Sequence, residues 1–508
     1  MLSLIHVLDW RAAVTPDIVA ITDHIGGELT YAGLAAATDQ RAAEFATAGI
    51  GYGDVVAIIA PNQVGWVTAM TGLMRVGALP AAVNWRLSPP EITALLSAMR
   101  PVAIIADEDC GAAAKQAAAG LDYPVPVLMT AAEVTGNPGV GILPPRPADR
   151  LRGAEPAVLV HTSGTTGRHK VVPQTHQQLI AAAVYMKLEV AEALPGARHL
   201  GVMPLYHVAG LANLSYVLVT GGHLHLVTGF DVVRLADELA ARRIQFTQLT
   251  PKLIQVLTAE VSSRALRPDL HGLVEIAYFL SPLRPDVLAQ AVSVLRCRFR
   301  QTYLSTETGP LAVSSLSPRD HDPALGLLRT AGRPALGWEV RLGERGEIEV
   351  RGAPPLPRYW ADPEATMAAL TPDGFYRTGD VGSIDARGYL TIIDRLSDVI
   401  ITGGETVFPG EVESVLASHA AVADVAVIGI PDFRWGETVH AVVVPRTGPY
   451  TDDQFTAELI GYARQRLAGF KCPAGVTLVP ALPRNASGRL LRASLRAPFW
   501  VGRERRVP

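Results

Sequence analysis

Residues 162–170 read TSGTTGRHK and directly follow the apolar run AVLV at 157–160, which is typical of a buried β-strand. Glycines and small hydroxyl side chains let a backbone wrap closely around an anion, and Lys170 supplies positive charge. The glycine spacing differs from GxxxxGK, so this is not a Walker loop. Composition alone also allows a polar surface turn, but the whole nine-residue string favours a phosphate-binding loop.

The chain around this loop alternates short apolar runs with helical patterns. Runs at 55–60 and 102–106, rich in Val, Ile and Ala, predict buried strands, and apolar spacing at 37–48 and 232–243 predicts helices. Such alternation indicates α/β layers with parallel strands. With 508 residues the chain is too long for one hydrophobic core, so at least two domains are expected.

The pattern changes near Asp394. Apolar residues at 412–419 follow one helix face, two apolar runs cover 422–430 and 439–444, and a second helix is predicted at 455–467. These segments predict a small α+β domain formed by about the last 110 residues.

Composition narrows the possible functions. A net charge of −3 gives no electrostatic reason to bind nucleic acid or an anionic membrane. Cys110, Cys297 and Cys472 form no ligand spacing, so a reduced cytoplasmic compartment is expected. Neither a signal peptide nor a membrane span is predicted. Arg far outnumbers Lys, which occurs only at positions 115, 170, 187, 252 and 471.

Further motifs follow in a fixed order. They read PLYHVAG at 204–210, YLSTE at 303–307, YRTGD at 376–380, DRLSD at 394–398 and PRNASGRLLR at 483–492. With TSGTTG-x-x-K, these segments resemble the motifs of the adenylate-forming superfamily, in its acyl-CoA synthetase branch. The resemblance covers nearly the whole chain. It implies a large layered N-terminal α/β domain (1–396) and a smaller, mobile α+β C-terminal domain (397–508) that rotates about a hinge near Ser397.

The family makes an acyl-adenylate from an organic acid and Mg²⁺-ATP, then transfers the acyl group to coenzyme A (CoA). The resemblance implies that Lys170 binds phosphate, Thr306 contacts the α-phosphate and Glu307 ligates Mg²⁺. Asp380 would accept hydrogen bonds from the ribose, and Arg395 would support ribose and phosphate. It also implies phosphate contacts from the loop residues Thr162, Ser163, Gly164, Thr165, Thr166 and Gly167.

The resemblance also implies where acid and CoA bind. The catalytic His207 would lie beside the acyl carbonyl, and the CoA channel would pass Gly403, Gly404 and Glu405. The two glycines also fit an ordinary hairpin turn. Bulky residues replace family glycines in YFLSPL at 278–283 and in YLSTE, which predicts an apolar pocket for a hydrophobic acid. The predicted acyl-pocket residues are His207, Phe279, Leu280, Ser281 and Leu304.

Arg489 stands where the family has its catalytic Lys, which bridges the substrate carboxylate and the α-phosphate during adenylation. A guanidinium is wide and planar, whereas an ammonium is a compact point charge, so Arg489 should weaken adenylation. Domain rotation removes this position before thioester formation, so the second half-reaction should be spared. The general preference of this chain for Arg is the alternative explanation.

Four functions therefore remain open. The favoured one is an acyl-CoA ligase that makes a CoA thioester from an acyl-adenylate, which a partner adenylating ligase would supply. The second is an ordinary two-step ligase that uses ATP and Mg²⁺. The third loads a carrier protein in trans, and the fourth is a non-catalytic acyl-adenylate-binding protein.

Overall fold

The computed structural model describes residues 2–129, 153–162, 170–190, 194–229, 231–279, 283–352, 358–446, 452–484 and 490–502. Contacts divide the chain into two compact units, Met1–Glu339 with Arg351–Gly374 and Val340–Val350 with Phe375–Pro508. The expected α/β class, with a large N-terminal and a smaller C-terminal part, is confirmed. The domain boundary expected at 396/397 stays a prediction, and the strands between 338 and 395 form a sheet of their own. A hinge at Ser397 stays a prediction.

The strands of the first unit form two sheets. In chain order they are β1 (Val19–Asp23), β2 (Glu28–Thr30), β3 (Val55–Ile59), β4 (Leu79–Ala82), β5 (Ala103–Ala106), β6 (Val127–Met129), β7 (Pro156–Thr162), β8 (Lys170–Thr175), β9 (Arg198–Gly201), β10 (His223–Leu226), β11 (Phe246–Leu249), β12 (Glu275–Tyr278), β13 (Arg298–Tyr303), β14 (Ser314–Leu316) and β15 (Arg333–Pro334).

The helices of the first unit separate these strands along the chain. They are α1 (Leu4–Val14), α2 (Tyr31–Thr47), α3 (Val64–Val76), α4 (Pro89–Met99), α5 (Gly111–Ala119), α6 (His176–Glu189), α7 (Val208–Thr220), α8 (Val232–Ala241), α9 (Pro251–Ser263), α10 (Pro285–Leu295) and α11 (Pro363–Ala368). In the part of the chain that the structure describes, no helix has both the length and the apolar character needed to cross a membrane.

Most strand pairs in the two sheets are parallel, as the alternation of elements predicts. One sheet has the order β6-β5-β3-β4-β7-β8, and the other has the order β15-β14-β13-β12-β11-β9-β10-β1-β2. The antiparallel pairs are β7 with β8, β1 with β2, β13 with β14 and β14 with β15. In both sheets the parallel strands are largely buried; those of the first sheet are mostly apolar, whereas those of the second sheet also carry buried polar residues such as His225 and Arg300.

The two faces of the second sheet carry different residues. One face contributes Leu200, Ile276 and Phe299 to a hydrophobic cluster that also contains Leu239 of α8 and Ile254 of α9. Side chains alternate between the faces of a strand, so the neighbours of these residues lie on the opposite face. That face borders the cavity described below.

The second unit contains two smaller sheets. Its strands are β16 (Trp338–Leu342), β17 (Glu347–Gly352), β18 (Tyr376–Ile384), β19 (Leu390–Arg395), β20 (Ile400–Thr402), β21 (Glu405–Val407), β22 (Val422–Asp432), β23 (Gly436–Pro445) and β24 (Gly475–Leu478), and its helices are α12 (Pro409–Ala417), α13 (Asp452–Arg464) and α14 (Arg492–Arg496). The orders are β16-β17-β18-β19 and β21-β20-β23-β22, with β24 beside β23. Val412 of α12 and Phe455 of α13 pack with Val427 in one buried cluster.

Candidate active site

The predicted phosphate loop joins two antiparallel strands. Thr162 at the end of β7 pairs with Lys170 at the start of β8, so these two residues mark the base of the connection. The loop residues Ser163, Gly164, Thr165, Thr166 and Gly167 lie outside the described residues. The strand predicted before the loop is confirmed as β7.

Lys170 is linked through an aromatic ring to the predicted metal ligand. Its Nζ lies 4.4 Å from the centroid of the Tyr359 ring, a cation–π distance. The Tyr359 hydroxyl donates to Oε1 of Glu307 at 3.0 Å. The backbone N–H of Trp360 donates to the carbonyl of Val171 at 2.8 Å, which holds this segment beside β8. Tyr359 therefore contacts both the Lys170 ammonium group and the Glu307 carboxylate, near the beginning of β8.

The turn that carries Thr306 and Glu307 is held on both sides. The buried Gln174 of β8 donates from Nε2 to the carbonyl of Thr306 at 2.9 Å. Ser305 and Thr308 exchange hydrogen bonds, because each backbone N–H donates to the other's hydroxyl, at 2.9 and 3.2 Å. The turn is therefore fixed by its own short side chains. Gln174 was not predicted, although a polar residue within a largely apolar strand could have indicated a buried hydrogen-bonding role.

Glu307 fits a magnesium ion held jointly with a substrate. Among the described residues, no group of three or more His, Cys, Asp or Glu side chains is arranged to hold a metal. Mg²⁺ commonly uses one or two carboxylates together with substrate phosphates, and it needs no cage built wholly from protein. A single carboxylate near Lys170 matches that requirement.

His207 caps the N-terminus of α7. Its Nδ1 accepts the backbone N–H of Ala209 at 3.2 Å, which assigns the proton of the neutral ring to Nε2. Burial lowers the pKa of His207 to about 4, so the ring is neutral at pH 7. His207 therefore offers a neutral N–H donor at the start of a helix.

The loop before α7 is shaped by one asparagine and one glycine. Asn62 donates from Nδ2 to the carbonyl of Met203 at 3.0 Å and accepts the N–H of Leu205 at its Oδ1 at 2.8 Å. A Cβ at Gly210 would lie 2.2 Å from the carbonyl oxygen of Pro204, so only glycine fits there. Asn62 was not predicted, because nothing in its local sequence indicates a partner so far along the chain.

A cavity of about 60 Å³ lies between the second sheet and the helices α6 and α7. Phe279 and Leu304, two of the predicted acyl-pocket residues, lie in its wall; Leu280 and Ser281 lie outside the described residues. Its polar lining, including His199 and Gln248, was not predicted. The lining residues are Ala182, Met186, Val190, His199, Ala209, Ala212, Asn213, Tyr216, Phe246, Thr247, Gln248, Glu275, Ala277, Phe279, Thr302, Leu304, Pro310 and Ala312.

The predicted ribose-binding residues lie in the second unit. Asp380 of β18 is buried and faces Arg395 of β19, whose Nε lies 2.6 Å from its Oδ1. The backbone N–H of Asp380 donates to the Thr378 hydroxyl at 3.1 Å. The structure therefore brings this predicted pair into direct contact.

The predicted hinge residue Ser397 lies in a short 3-10 turn, Leu396–Asp398. Arg496 of α14 donates to the carbonyl of Ser397 at 3.3 Å and to Oδ1 of Asp398 at 2.8 Å. Burial raises the pKa of the adjacent Asp394 to about 6, although that carboxylate accepts the backbone N–H of Gly410. The C-terminal helix thus holds the segment that carries Ser397.

Gly403 and Gly404 form the two-residue turn between β20 and β21, with φ values of +59° and +87°. Thr402 pairs with Glu405 across this turn. A hairpin turn with positive φ at both central positions requires glycine-like residues, so the turn itself accounts for the two glycines. A role for Gly403, Gly404 and Glu405 along CoA stays a prediction.

Arg489 lies outside the described residues, but the chain on both sides of it is described. Arg484 and Leu490 form an antiparallel bridge. Nη2 of Arg492 lies 2.8 and 2.7 Å from the two carboxylate oxygens of Glu413. The described residues on either side of Arg489 are therefore paired with other parts of the second unit.

Comparison with known proteins agrees with these motifs. A family model described as AMP-binding enzyme matches residues 8–360, and one described as AMP-binding enzyme C-terminal domain matches residues 411–489. The chain is similar to a feruloyl-CoA synthase from Amycolatopsis sp, with 32% identity over 96% of this chain and 97% of the relative. It is 31% identical to the long-chain-fatty-acid–CoA ligase FadD13 of Mycobacterium tuberculosis, over 97% of this chain and 98% of that one.

A solved structure shares the fold. The o-succinylbenzoate CoA synthetase MenE of Bacillus subtilis, in complex with its acyl-adenylate intermediate, superposes with a TM-score of 0.83. The two chains are 28% identical, over 96% of this chain and 97% of MenE. The chain therefore belongs to the family of AMP-binding enzymes, within the adenylate-forming superfamily whose motifs it carries and among its acyl-CoA ligases.

Proposed function

We propose that this acyl-CoA ligase forms a CoA thioester from the acyl-adenylate of a hydrophobic carboxylic acid, and that its own adenylation step is weak or absent. The observation that carries the proposal is Arg489 in the position of the family's catalytic Lys, in a chain that keeps the other residues with an expected role in phosphate, metal or ribose binding. Lys170, His207, Glu307 and Asp380 are all retained.

The residues of the first unit support binding of the acyl-adenylate. Lys170 supplies positive charge for phosphate, and Glu307 would hold Mg²⁺, which neutralises phosphate charge when it is bound. His207 is neutral and presents Nε2–H, so it can donate to the acyl carbonyl oxygen without a proton transfer. The cavity wall at Phe279 and Leu304 is apolar, which suits a hydrophobic acyl group.

Thioester formation does not require a cation at position 489. The CoA sulfur attacks the acyl carbon, the bond from that carbon to the phosphate oxygen breaks, AMP leaves and the thiol proton is released. Hydrogen-bond donors at the carbonyl oxygen stabilise the charge that develops there. Adenylation, in contrast, brings the acid carboxylate and the α-phosphate together, and two anions need a cation between them.

The chemistry of the two side chains favours Lys over Arg for that task. A guanidinium is longer and planar, so it does not reproduce the compact point charge of an ammonium group. Loss of one well-placed electrostatic donor typically costs about 10²–10³ in rate.

A split assay tests the proposal with a panel of hydrophobic acids. One arm supplies acid, ATP and Mg²⁺ and measures acyl-AMP; the other supplies synthetic acyl-AMP and CoA and measures thioester. We expect product in the second arm and little or none in the first. Comparable turnover in both arms would contradict the proposal and establish an ordinary two-step ligase.

The acceptor needs a separate control. Replacing CoA by a phosphopantetheine carrier protein in the second arm separates a CoA ligase from an enzyme that loads a carrier in trans. Binding of acyl-AMP without turnover by either thiol would identify a non-catalytic binding protein and contradict the proposal.

A further inference from the structure

Tyr359 lies between the predicted phosphate-binding cation and the predicted metal ligand of the active site. The centroid of its ring is 4.4 Å from Nζ of Lys170, and its hydroxyl donates to Oε1 of Glu307 at 3.0 Å. Tyr359 belongs to none of the motifs that indicated the site in the sequence. These two contacts therefore give it a place in the site that the motifs do not assign.

The backbone around Tyr359 is held by contacts that do not use the phenol. The N–H of Tyr359 donates to the Thr366 hydroxyl at 2.9 Å, and the N–H of Trp360 donates to the carbonyl of Val171 in β8 at 2.8 Å. Asp362 then caps the N-terminus of the following helix, α11. The ring itself is partly buried against the hydrophobic core of the first unit. Removal of the hydroxyl should therefore leave the ring in place.

The backbone that carries Glu307 is likewise fixed without Tyr359. Nε2 of Gln174 donates to the carbonyl of Thr306 at 2.9 Å, and the N–H of Gly309 donates to the same carbonyl at 3.2 Å. These bonds hold the turn but do not orient the long, flexible side chain of Glu307. The hydrogen bond from the Tyr359 hydroxyl orients its carboxylate.

A hydrogen bond to one carboxylate oxygen affects how the group can bind a cation. The Tyr359 hydroxyl engages Oε1 of Glu307, so Oε2 is the oxygen left for Mg²⁺, an ion that demands near-ideal octahedral geometry. Hydrogen-bond partners of a ligating carboxylate orient the ligand, and their loss typically lowers metal affinity by about 10- to 100-fold. The hydroxyl of Tyr359 has the position of such a partner.

The ring of Tyr359 supports the ammonium group of Lys170. A cation over an aromatic face is attracted by the ring, which restricts a side chain that otherwise has many rotamers. An ammonium group has three donors, so contact with the ring leaves donors for phosphate. Loss of the ring should weaken phosphate binding only modestly, by roughly 2- to 5-fold.

We propose that Tyr359 is a positioning residue for nucleotide binding, whose hydroxyl orients Glu307 for Mg²⁺ and whose ring holds Lys170 for the phosphates. This inference rests on the proposed function, because that function places the nucleotide phosphates at Lys170 and Glu307. Tyr359 acts through these two side chains. Its two contributions use different atoms, so different substitutions separate them.

Calorimetry with α,β-methylene-ATP tests the inference, because this analogue resists the bond cleavage of adenylation and reports binding alone. Each protein is titrated in EDTA and at increasing Mg²⁺ concentrations. Tyr359→Phe keeps the ring, so its affinity in EDTA should match that of the unchanged chain. The Mg²⁺ concentration that gives half of the metal-dependent gain in affinity should rise about 10-fold or more. Saturating Mg²⁺ should restore the affinity.

Tyr359→Leu removes the ring as well as the hydroxyl. It should show the same shift in Mg²⁺ dependence and, in addition, a loss of roughly 2- to 5-fold in EDTA. A double substitution locates the effect of the hydroxyl. Tyr359→Phe added to Glu307→Gln should not change the Mg²⁺ dependence further, because the hydroxyl acts through that carboxylate.

The matched control is Tyr52→Phe. The hydroxyl of Tyr52 also donates to a glutamate, Oε1 of Glu155 at 3.1 Å, but at an exposed position. The substitution therefore breaks the same kind of hydrogen bond in the same unit. Tyr52→Phe should bind the analogue like the unchanged chain, both in EDTA and with Mg²⁺.

The outcomes separate this inference from the proposed function. It is overturned if Tyr359→Phe loses affinity equally with and without Mg²⁺, if its Mg²⁺ dependence is unchanged, or if the unchanged chain shows no Mg²⁺-dependent binding. Thioester formation from acyl-AMP and CoA by the unchanged chain is measured separately. Product there leaves the proposed function intact in each of these cases, and its absence contradicts that function whatever Tyr359 does.

Discussion

Arg395 and Asp380 face each other across the neighbouring strands β19 and β18, with Nε of the guanidinium 2.6 Å from Oδ1 of the carboxylate. A carboxylate has about four acceptor sites, so Asp380 can keep this ion pair and still accept ribose hydroxyls. The ion pair therefore orients the buried Asp380 carboxylate and leaves acceptor sites on it for ribose hydroxyls.

Asp380→Asn should weaken nucleotide binding. The amide loses the charge that strengthens hydrogen bonds from the ribose hydroxyls, so the Kd for an acyl-sulfamoyladenosine should rise about 10- to 100-fold. Calorimetry measures the change. Asp385→Asn is the matched control, because Asp385 lies in the same unit but pairs with Arg387 at an exposed turn. Equal affinities for the two variants would remove Asp380 from the binding site.

Arg489→Lys should restore adenylation. Lys returns a compact ammonium to the position that bridges the carboxylate and the α-phosphate, so acyl-AMP formation should rise by about 10²–10³. Thioester formation from acyl-AMP should change little. Pyrophosphate release and thioester yield, measured on the same preparations, report the two steps. If the two proteins adenylate equally, Arg489 is a tolerated substitution.

The Gly404→Ala variant tests whether Gly404 serves only the hairpin turn or also lies beside bound CoA. A Cβ at Gly404 meets nothing within 4 Å, whereas a Cβ at Gly403 would lie 2.8 Å from Cε3 of Trp435. Both substitutions strain a left-handed backbone by about 1–2 kcal/mol, and thermal unfolding should show the larger loss for Gly403→Ala. If CoA passes Gly404, its KM should rise about fivefold or more in Gly404→Ala. An unchanged KM would assign these glycines to the turn alone.

Stability should increase with pH between about 4 and 6.5. Burial lowers the pKa of five histidines to about 3 or 4, namely His176, His199, His207, His223 and His225. The unfolded chain binds protons at these residues below pH 6.5 and the folded chain does not, so their contribution is full above 6.5 and is lost as the pH falls. Asp394, with its pKa raised to about 6, and Glu347, whose pKa burial also raises, act in the opposite direction but are fewer than the five histidines.

Urea unfolding at several pH values measures this slope, which can reach about 1.4 kcal/mol per pH unit for each proton taken up. The unfolded His199→Phe variant should bind one proton fewer, so its slope should be smaller by the contribution of one histidine. A free energy of unfolding that is constant from pH 5 to pH 7 would contradict the assignment of these histidines as buried and neutral.

The fold was predictable where burial alone determines an element. The apolar runs at 55–60 and 422–430 became β3 and β22, since a strand covered on both faces needs a continuous apolar run. The grouping of Trp338–Leu342 and Glu347–Gly352 with later strands was not predicted. An apolar pattern reports that a strand is buried, but its partner depends on contacts distant along the chain.

Site residues were predictable where they belong to a sequence motif, as Thr306 and Glu307 do. Two supporting residues belong to no motif and were not predicted. They are Gln174, which hydrogen-bonds to the turn at Thr306, and Asn62, which hydrogen-bonds to the loop before α7. His199 was missed for a different reason. A polar residue that alternates with apolar ones in a strand usually faces solvent, and the sequence does not distinguish solvent from an internal cavity.

The strands beneath the cavity divide their residues by face. His199, Gln248 and Ala277 border the cavity, while their neighbours Leu200, Leu249 and Ile276 pack against the helices on the other side. A substitution at one position in two can therefore change the lining of the cavity without disturbing the packing that keeps the sheet folded. Natural variation can reshape the cavity along these strands while selection for stability acts on the residues in between.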